Sequence, residues 1–201
     1  MKNHENNNNT ICTNDSVEYS TLFGSTADNG YVKGGYTKGV SGRVDLDVNY
    51  TTSGIIHTHD IKSSSMFSYT DFEAMITIDK NGLIPDYNDF FFGVISNGGD
   101  NAYMLVIDDV NKYNKWKDTV YNAKIEAETT GNIENQRDLE REYYHNGVDG
   151  KDLGMNEMGI LQYFRDRETG LRLFKSENNN FTKWSEILLN VGGWVLNRDC
   201  Y

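Results

Sequence analysis

The chain has 201 residues and a net charge of −11, enough for one sizeable domain or one domain carrying an insertion. That excess of acid excludes a nucleic-acid groove, which needs clustered Lys and Arg; it fits a soluble acidic protein or one with a basic partner. No apolar run reaches the length of a membrane span, and the polar, Asn-rich stretch Met1–Asn9 has no apolar core of a secretory signal. The expectation is therefore a cytoplasmic protein, or one exported by a non-Sec route. Cys12 and Cys200 lack metal-type spacing, so two unpaired thiols are expected rather than a disulfide joining the termini.

In chain order, residues 1–14 read as a disordered leader. Val17–Phe23 alternates apolar and polar positions as a strand does, with Gly24 closing it and Glu18, Ser20 and Leu22 on one face. Tyr31–Lys33 and Gly35–Thr37 look like two short strands joined by a turn. Arg43–Val48 alternates clearly, and Gly54–His59 is the fourth strand expected. The period then becomes helical: Phe72, Met75, Ile76 and Asp79 share one face, Ser68 is an N-cap, and Asp71 stands at the third position of a capping box. Asn81-Gly82 and Pro85 end this helix.

Phe90–Ser96 and Ala102–Ile107 read as buried strands of a hairpin turning at Asn97–Asn101. Residues 110–146 are charged and helical in pattern. One stripe is formed by Trp116, Val120, Ala123 and Ala127, a break falls at Thr129-Thr130-Gly131, and a second helix runs from Ile133 to Tyr144. This pair reads as solvated helices, an insertion or lid packed lightly on the core. A short helix follows around Met158, Leu161 and Phe164, and strands return at 170–174, 184–189 and 193–196. The element order predicts an α+β fold. The expected organisation is a single domain over 15–201: a core at about 16–108, a helical insertion at about 109–167 and C-terminal strands at about 168–201.

Chemistry concentrates in Gly54-Ile55-Ile56-His57-Thr58-His59 and Ser68-Tyr69-Thr70-Asp71. A strand puts His57 and His59 on one face, and with Asp71 they make a three-ligand set for zinc that leaves a position open for water. The alternative is two ordinary strand histidines. With only four histidines in the chain, multi-histidine binuclear sites are excluded. The absence of Cys-x-x-Cys and His-Glu-x-x-His removes the zinc deaminases and the zincins. A hydrolytic site of this kind needs a base, and Glu18 is the candidate; the other reading is a solvent-facing strand carboxylate. Ser68 has two compatible readings, helix cap and oxyanion donor. His145 is expected at a helix C-terminus, and Asp108-Asp109 as a strand end and helix cap. The glycines of 30–42 lack the Lys-Ser/Thr and the following helix of a phosphate loop.

Glu18, then His57-Thr58-His59, then Ser68-x-x-Asp71 resembles the JAMM (MPN-type, JAB-like) metallopeptidase motif, in the form of a divergent bacterial-type member, over about residues 16–108. The chain departs from that pattern at Asp60, where the family has proline, and in the eight residues between His59 and Ser68, where it has about seven. The resemblance implies a cytidine-deaminase-like curved mixed sheet flanked by helices. It implies Zn2+ held by His57, His59 and Asp71, with Glu18 as general acid/base and Ser68 as oxyanion helper. The implied activity is hydrolysis of a peptide or isopeptide bond by metal-activated water, on a protein or peptide such as a ubiquitin-like tail. The alternative is a catalytically inactive zinc-binding scaffold or interaction module.

Overall fold

A computed structural model describes residues 17–28, 30–41, 43–44, 48, 50–60, 65–96, 101–146, 153–178 and 180–199. The leader at 1–14, Cys12, Cys200 and the hairpin turn at 97–100 lie outside the described residues. Eight strands form one mixed sheet: β1 (Tyr19–Ser25), β2 (Tyr31–Lys38), β3 (Gly54–Thr58), β4 (Phe91–Ser96), β5 (Asn101–Ile107), β6 (Leu171–Ser176), β7 (Trp184–Leu189) and β8 (Val195–Asp199). Their spatial order is β2-β1-β3-β4-β5-β6-β7-β8. Among the described strands only β3 and β4 run parallel. A parallel neighbour requires a crossover, and α1 (Tyr69–Lys80) supplies it. Three more helices, α2 (Val110–Thr130), α3 (Glu134–His145) and α4 (Leu153–Asp166), stand between β5 and β6. The α+β class expected from the pattern is observed. No helix among the described residues is long and apolar enough to cross a membrane.

The first strands differ from the pattern reading. β1 begins and ends two residues later than Val17–Phe23, so Gly24 lies inside it. The two short strands expected at 31–37 are one strand, β2, and its register against β1 slips between Thr21 and Phe23. The pair Gly34-Gly35 therefore sits in a bulge rather than a turn. A Cβ on Gly34 would stand 3.2 Å from the Leu22 carbonyl oxygen, and a glycine pair inside a strand pattern marks such an irregularity as readily as a turn. Of the strand expected at Arg43–Val48, Arg43 makes only an isolated bridge to Val40, and residues 45–47 are outside the described set. The late strands β6 and β8 extend to Ser176 and Asp199, past the expected ends.

The helices at 109–167 are not lightly packed. Tyr113, Trp116, Tyr143 and Tyr163 are buried in the same core as Phe67, Phe72 and Phe92. Phe72 on α1 is the hub: its ring lies 5.6 Å from Trp116, 5.3 Å from Tyr143, 6.0 Å from Phe164 and 6.2 Å from Phe67. One aromatic side chain thus touches α2, α3 and α4, in the offset and edge-on geometries that aromatic rings prefer. The polar composition of α2 and α3 describes their outer faces, and a few aromatics do the burying.

Candidate metal centre and groove

The β3 strand forms where Ile55 and Ile56, both β-branched, precede the histidines, and Gly54 admits a close neighbour. A Cβ there would stand 2.2 Å from the Phe91 ring, so a larger residue would push that ring aside. His57 is the fourth residue of β3, opposite Val94 of β4 and Ser20 of β1. His59 lies just past the strand, where its backbone N–H still donates to the Ile95 carbonyl at 2.9 Å. Both imidazoles are buried, at 3% and 6% exposure, and the His57 ring is flanked by Phe92 at 5.3 Å and Phe67 at 6.5 Å.

Asp71 arrives from α1 through the capping box read from sequence. The Asp71 N–H donates to Ser68 Oγ, and the Ser68 N–H donates to Asp71 Oδ2 at 2.6 Å. This pair of bonds turns the carboxylate toward the histidines. Asp71 Oδ1 lies 3.1 Å from His57 Nε2, Asp71 Oδ2 lies 3.3 Å from His59 Nε2, and the two Nε2 atoms are 3.1 Å apart. A neutral imidazole nitrogen carries either one proton or one lone pair, so His57 Nε2 cannot satisfy both of its neighbours as a donor. With both Nε2 atoms unprotonated, the two rings and the carboxylate present lone pairs that a cation between them would satisfy. His57, His59 and Asp71 form a group able to hold a metal ion. Burial pushes the Asp71 carboxyl up, and the two imidazoles more than reverse this, leaving it well below the usual carboxylate range. Among the described residues His57 Nδ1 is buried without a hydrogen-bond partner, and two phenyl rings pack against that ring.

Glu18 lies two residues before Ser20 and, continuing the antiparallel register of β1 against β3, falls opposite His59. It is 6% exposed and lines the same groove as His57, His59, Ser68 and Asp71. Burial raises its pKa, and the nearby histidines oppose that shift. The reading of Glu18 as a solvent-facing strand carboxylate is therefore overturned by its burial. Ser68 fills the cap role, accepting from Asp71; its Oγ also lies 2.8 Å from Thr70 Oγ1. A hydroxyl that accepts at a cap keeps its own proton to donate, so the cap does not consume the second role.

Three supporting residues were given no role by sequence reasoning. Thr58, between the histidines, accepts the Tyr19 N–H on its Oγ1 at 2.9 Å and so ties the start of β1, next to Glu18, to the histidine strand. Asp60 is 5% exposed and accepts from Ser41 Oγ at 3.1 Å. Tyr143 donates its hydroxyl to the Phe67 carbonyl at 2.5 Å, bracing the segment that leads to Ser68. Thr58 was legible only as an intervening residue of the motif and Asp60 only as a departure from it, and Tyr143 lies in a segment with no motif. His145 closes α3 as expected and takes no part in the metal group; Asp109 caps α2.

The groove encloses about 760 Å³. One wall is α1 and the other includes Val44 and Val48. No family model, curated protein or solved structure matches the chain.

Proposed function

We propose that the chain is a zinc-dependent hydrolase of JAMM type that cleaves a peptide or isopeptide bond. One observation carries this reading: a buried carboxylate, Glu18, shares a groove with three convergent metal donors. The donor set fits zinc. Two imidazoles and a carboxylate are its usual partners in hydrolytic sites, and bonds of about 2.0–2.1 Å in tetrahedral geometry put neighbouring ligands roughly 3.3 Å apart. The two Nε2 atoms here are 3.1 Å apart, and each lies within 3.3 Å of one Asp71 oxygen, His57 of Oδ1 and His59 of Oδ2. The single parallel pair β3–β4, with the ligands at the end of β3 and the start of the crossover helix, also suits the cytidine-deaminase-like arrangement of that family.

When bound, zinc would supply Lewis acidity toward a substrate carbonyl and lower the pKa of a water. The chain's own residues do the rest. Glu18, its pKa raised by burial, takes the proton of the attacking water and returns it to the leaving amine. Ser68, which lines the groove, donates a hydrogen bond from its hydroxyl to the developing oxyanion. The burial of His57 and His59 fixes their rings before substrate arrives.

The test is a paired measurement on wild type and Glu18→Gln: zinc content by elemental analysis, and cleavage of peptide libraries, isopeptide-linked substrates and ubiquitin-like fusions. Stoichiometric zinc in both, with turnover reduced about 10²–10⁴-fold in the variant, is expected for loss of a general acid/base. Zinc in both and turnover in neither would favour the inactive scaffold. Protein that takes up no zinc would remove the metal centre.

A further inference from the structure

The groove does not stop at the metal group. Ala74 and Ile78 follow Asp71 at i+3 and i+7 and line the same groove, with Asn81 and Leu83 at its end. At about 1.5 Å of rise per residue, Ile78 stands roughly 10 Å, and Asn81 roughly 15 Å, along the helix from the Asp71 carboxylate. An extended peptide advances about 3.3 Å per residue, so the groove accepts about four residues, and the third from the metal lies over Ile78. Val48 and Leu83 pack against the core beside it. The walls there are apolar, while Asn81 and Lys124 supply polar groups along the margin; the Thr77 hydroxyl is already bonded to the Glu73 carbonyl and Lys124.

That composition suits a polypeptide better than an alkyl chain. A peptide backbone carries a donor and an acceptor at every residue and needs polar groups beside it, whereas an alkyl chain would leave the Asn81 amide and the Lys124 ammonium facing hydrocarbon. We infer that the groove along α1 selects an extended peptide with an apolar side chain at the third residue from the scissile bond, seated on Ala74, Ile78 and Val48. The inference rests on the hydrolase reading for the position of that bond, and on the groove alone for the preference.

Two measurements separate them. Zinc-loaded wild type is offered peptide libraries varied at one position at a time on both sides of a central bond, with products read by mass spectrometry. In parallel, the same sequences carrying fluorescein are titrated into Glu18→Gln and read by fluorescence anisotropy. Leu, Ile, Val or Phe is expected to be preferred about 10-fold or more over Asp or Lys at the third residue of one flank, the discrimination available from burying one apolar side chain. Ala74→Glu places a carboxylate on the exposed part of the wall and should shift preference toward Lys and Arg with zinc content unchanged. Should that variant fail to fold, Val48→Lys tests the opposite wall and should shift preference toward Asp and Glu. Apolar-selective binding without cleavage sinks the hydrolase reading and leaves the preference standing. Cleavage or binding indifferent to the third residue, selectivity that survives both wall variants, no peptide binding at all, or binding of an alkyl probe such as laurate in place of peptide, each overturns the inference.

Discussion

The two sides of the groove are held in different ways. On one side, β3, the residue just past it and α1 carry the three metal donors, and their neighbours are core: Ile55, Phe67, Phe72 and Phe92 are each 0% exposed. On the other side, Glu18 stands at the start of β1 beside the edge strand β2, whose residues are largely exposed. Its backbone pairs with Val40 at 3.2 Å and through Gly39 at 2.8 Å, and Thr58 and Asp60 reach across from the histidine segment. The metal donors are thus locked by packing, which is collective and strong. The acid is located by a few hydrogen bonds, each worth about 0.5–1.5 kcal/mol net. Metal binding should tolerate surface change that catalysis does not.

The largest effect expected is at the hub. Phe72→Ala removes the ring shared by α1, α2, α3 and α4 and should cost about 3–5 kcal/mol in chemical denaturation. Because Asp71 is the preceding residue, zinc affinity should fall with stability. A variant that lost stability but bound zinc normally would show that the donors do not depend on the core. Next is the metal itself: zinc at 100 times its Kd should stabilise the folded chain by about 2.7 kcal/mol, seen as a rise in melting temperature that a chelator reverses and that His57→Ala lacks. No shift in wild type would mean that the three donors converge without binding.

Thr58→Val tests the weaker side. It keeps the β-branched shape inside β3 and leaves the Tyr19 N–H without its acceptor, at a cost of about 1–3 kcal/mol if that group stays dry. The change should lower turnover by displacing Glu18 while leaving zinc stoichiometry intact. Equal losses of turnover and zinc would show that the two sides of the groove are one unit.

The same contrast explains how much could be read beforehand. The capping box, the helix it starts and the two-histidine strand are written in local spacing, so Ser68, Asp71, His57 and His59 were legible. Glu18 was legible as a residue on the right strand face, because strand alternation fixes faces; its pairing opposite His59 depends on a long-range register that spacing does not encode. The Gly34-Gly35 bulge was misread because the same glycine pair serves a turn and a bulge. The depth of α2 and α3 was missed because average polarity hides a few large aromatics: Tyr113 and Tyr143 are fully buried on helices that are otherwise charged. The groove wall at Ala74 and Ile78 was read only as part of an amphipathic helix, since nothing local says that a helix face is shared between core and cleft.

The smallest stability effect expected is at Ser68, the cap of α1. Ser68→Ala removes the cap acceptor for the Asp71 N–H and should cost about 1 kcal/mol. It would also remove an oxyanion donor, so stability and rate fall together and the roles stay mixed. Two substitutions unmix them. Asp and Asn cap about as well as Ser, but an ionised Asp side chain only accepts, whereas Asn retains N–H donors. Ser68→Asp should therefore keep the melting temperature near wild type and lose turnover, while Ser68→Asn should keep both stability and part of the rate. Equal turnover in the Asp and Asn variants, at equal zinc content, would reduce Ser68 to a helix cap and place the oxyanion donor elsewhere in the groove.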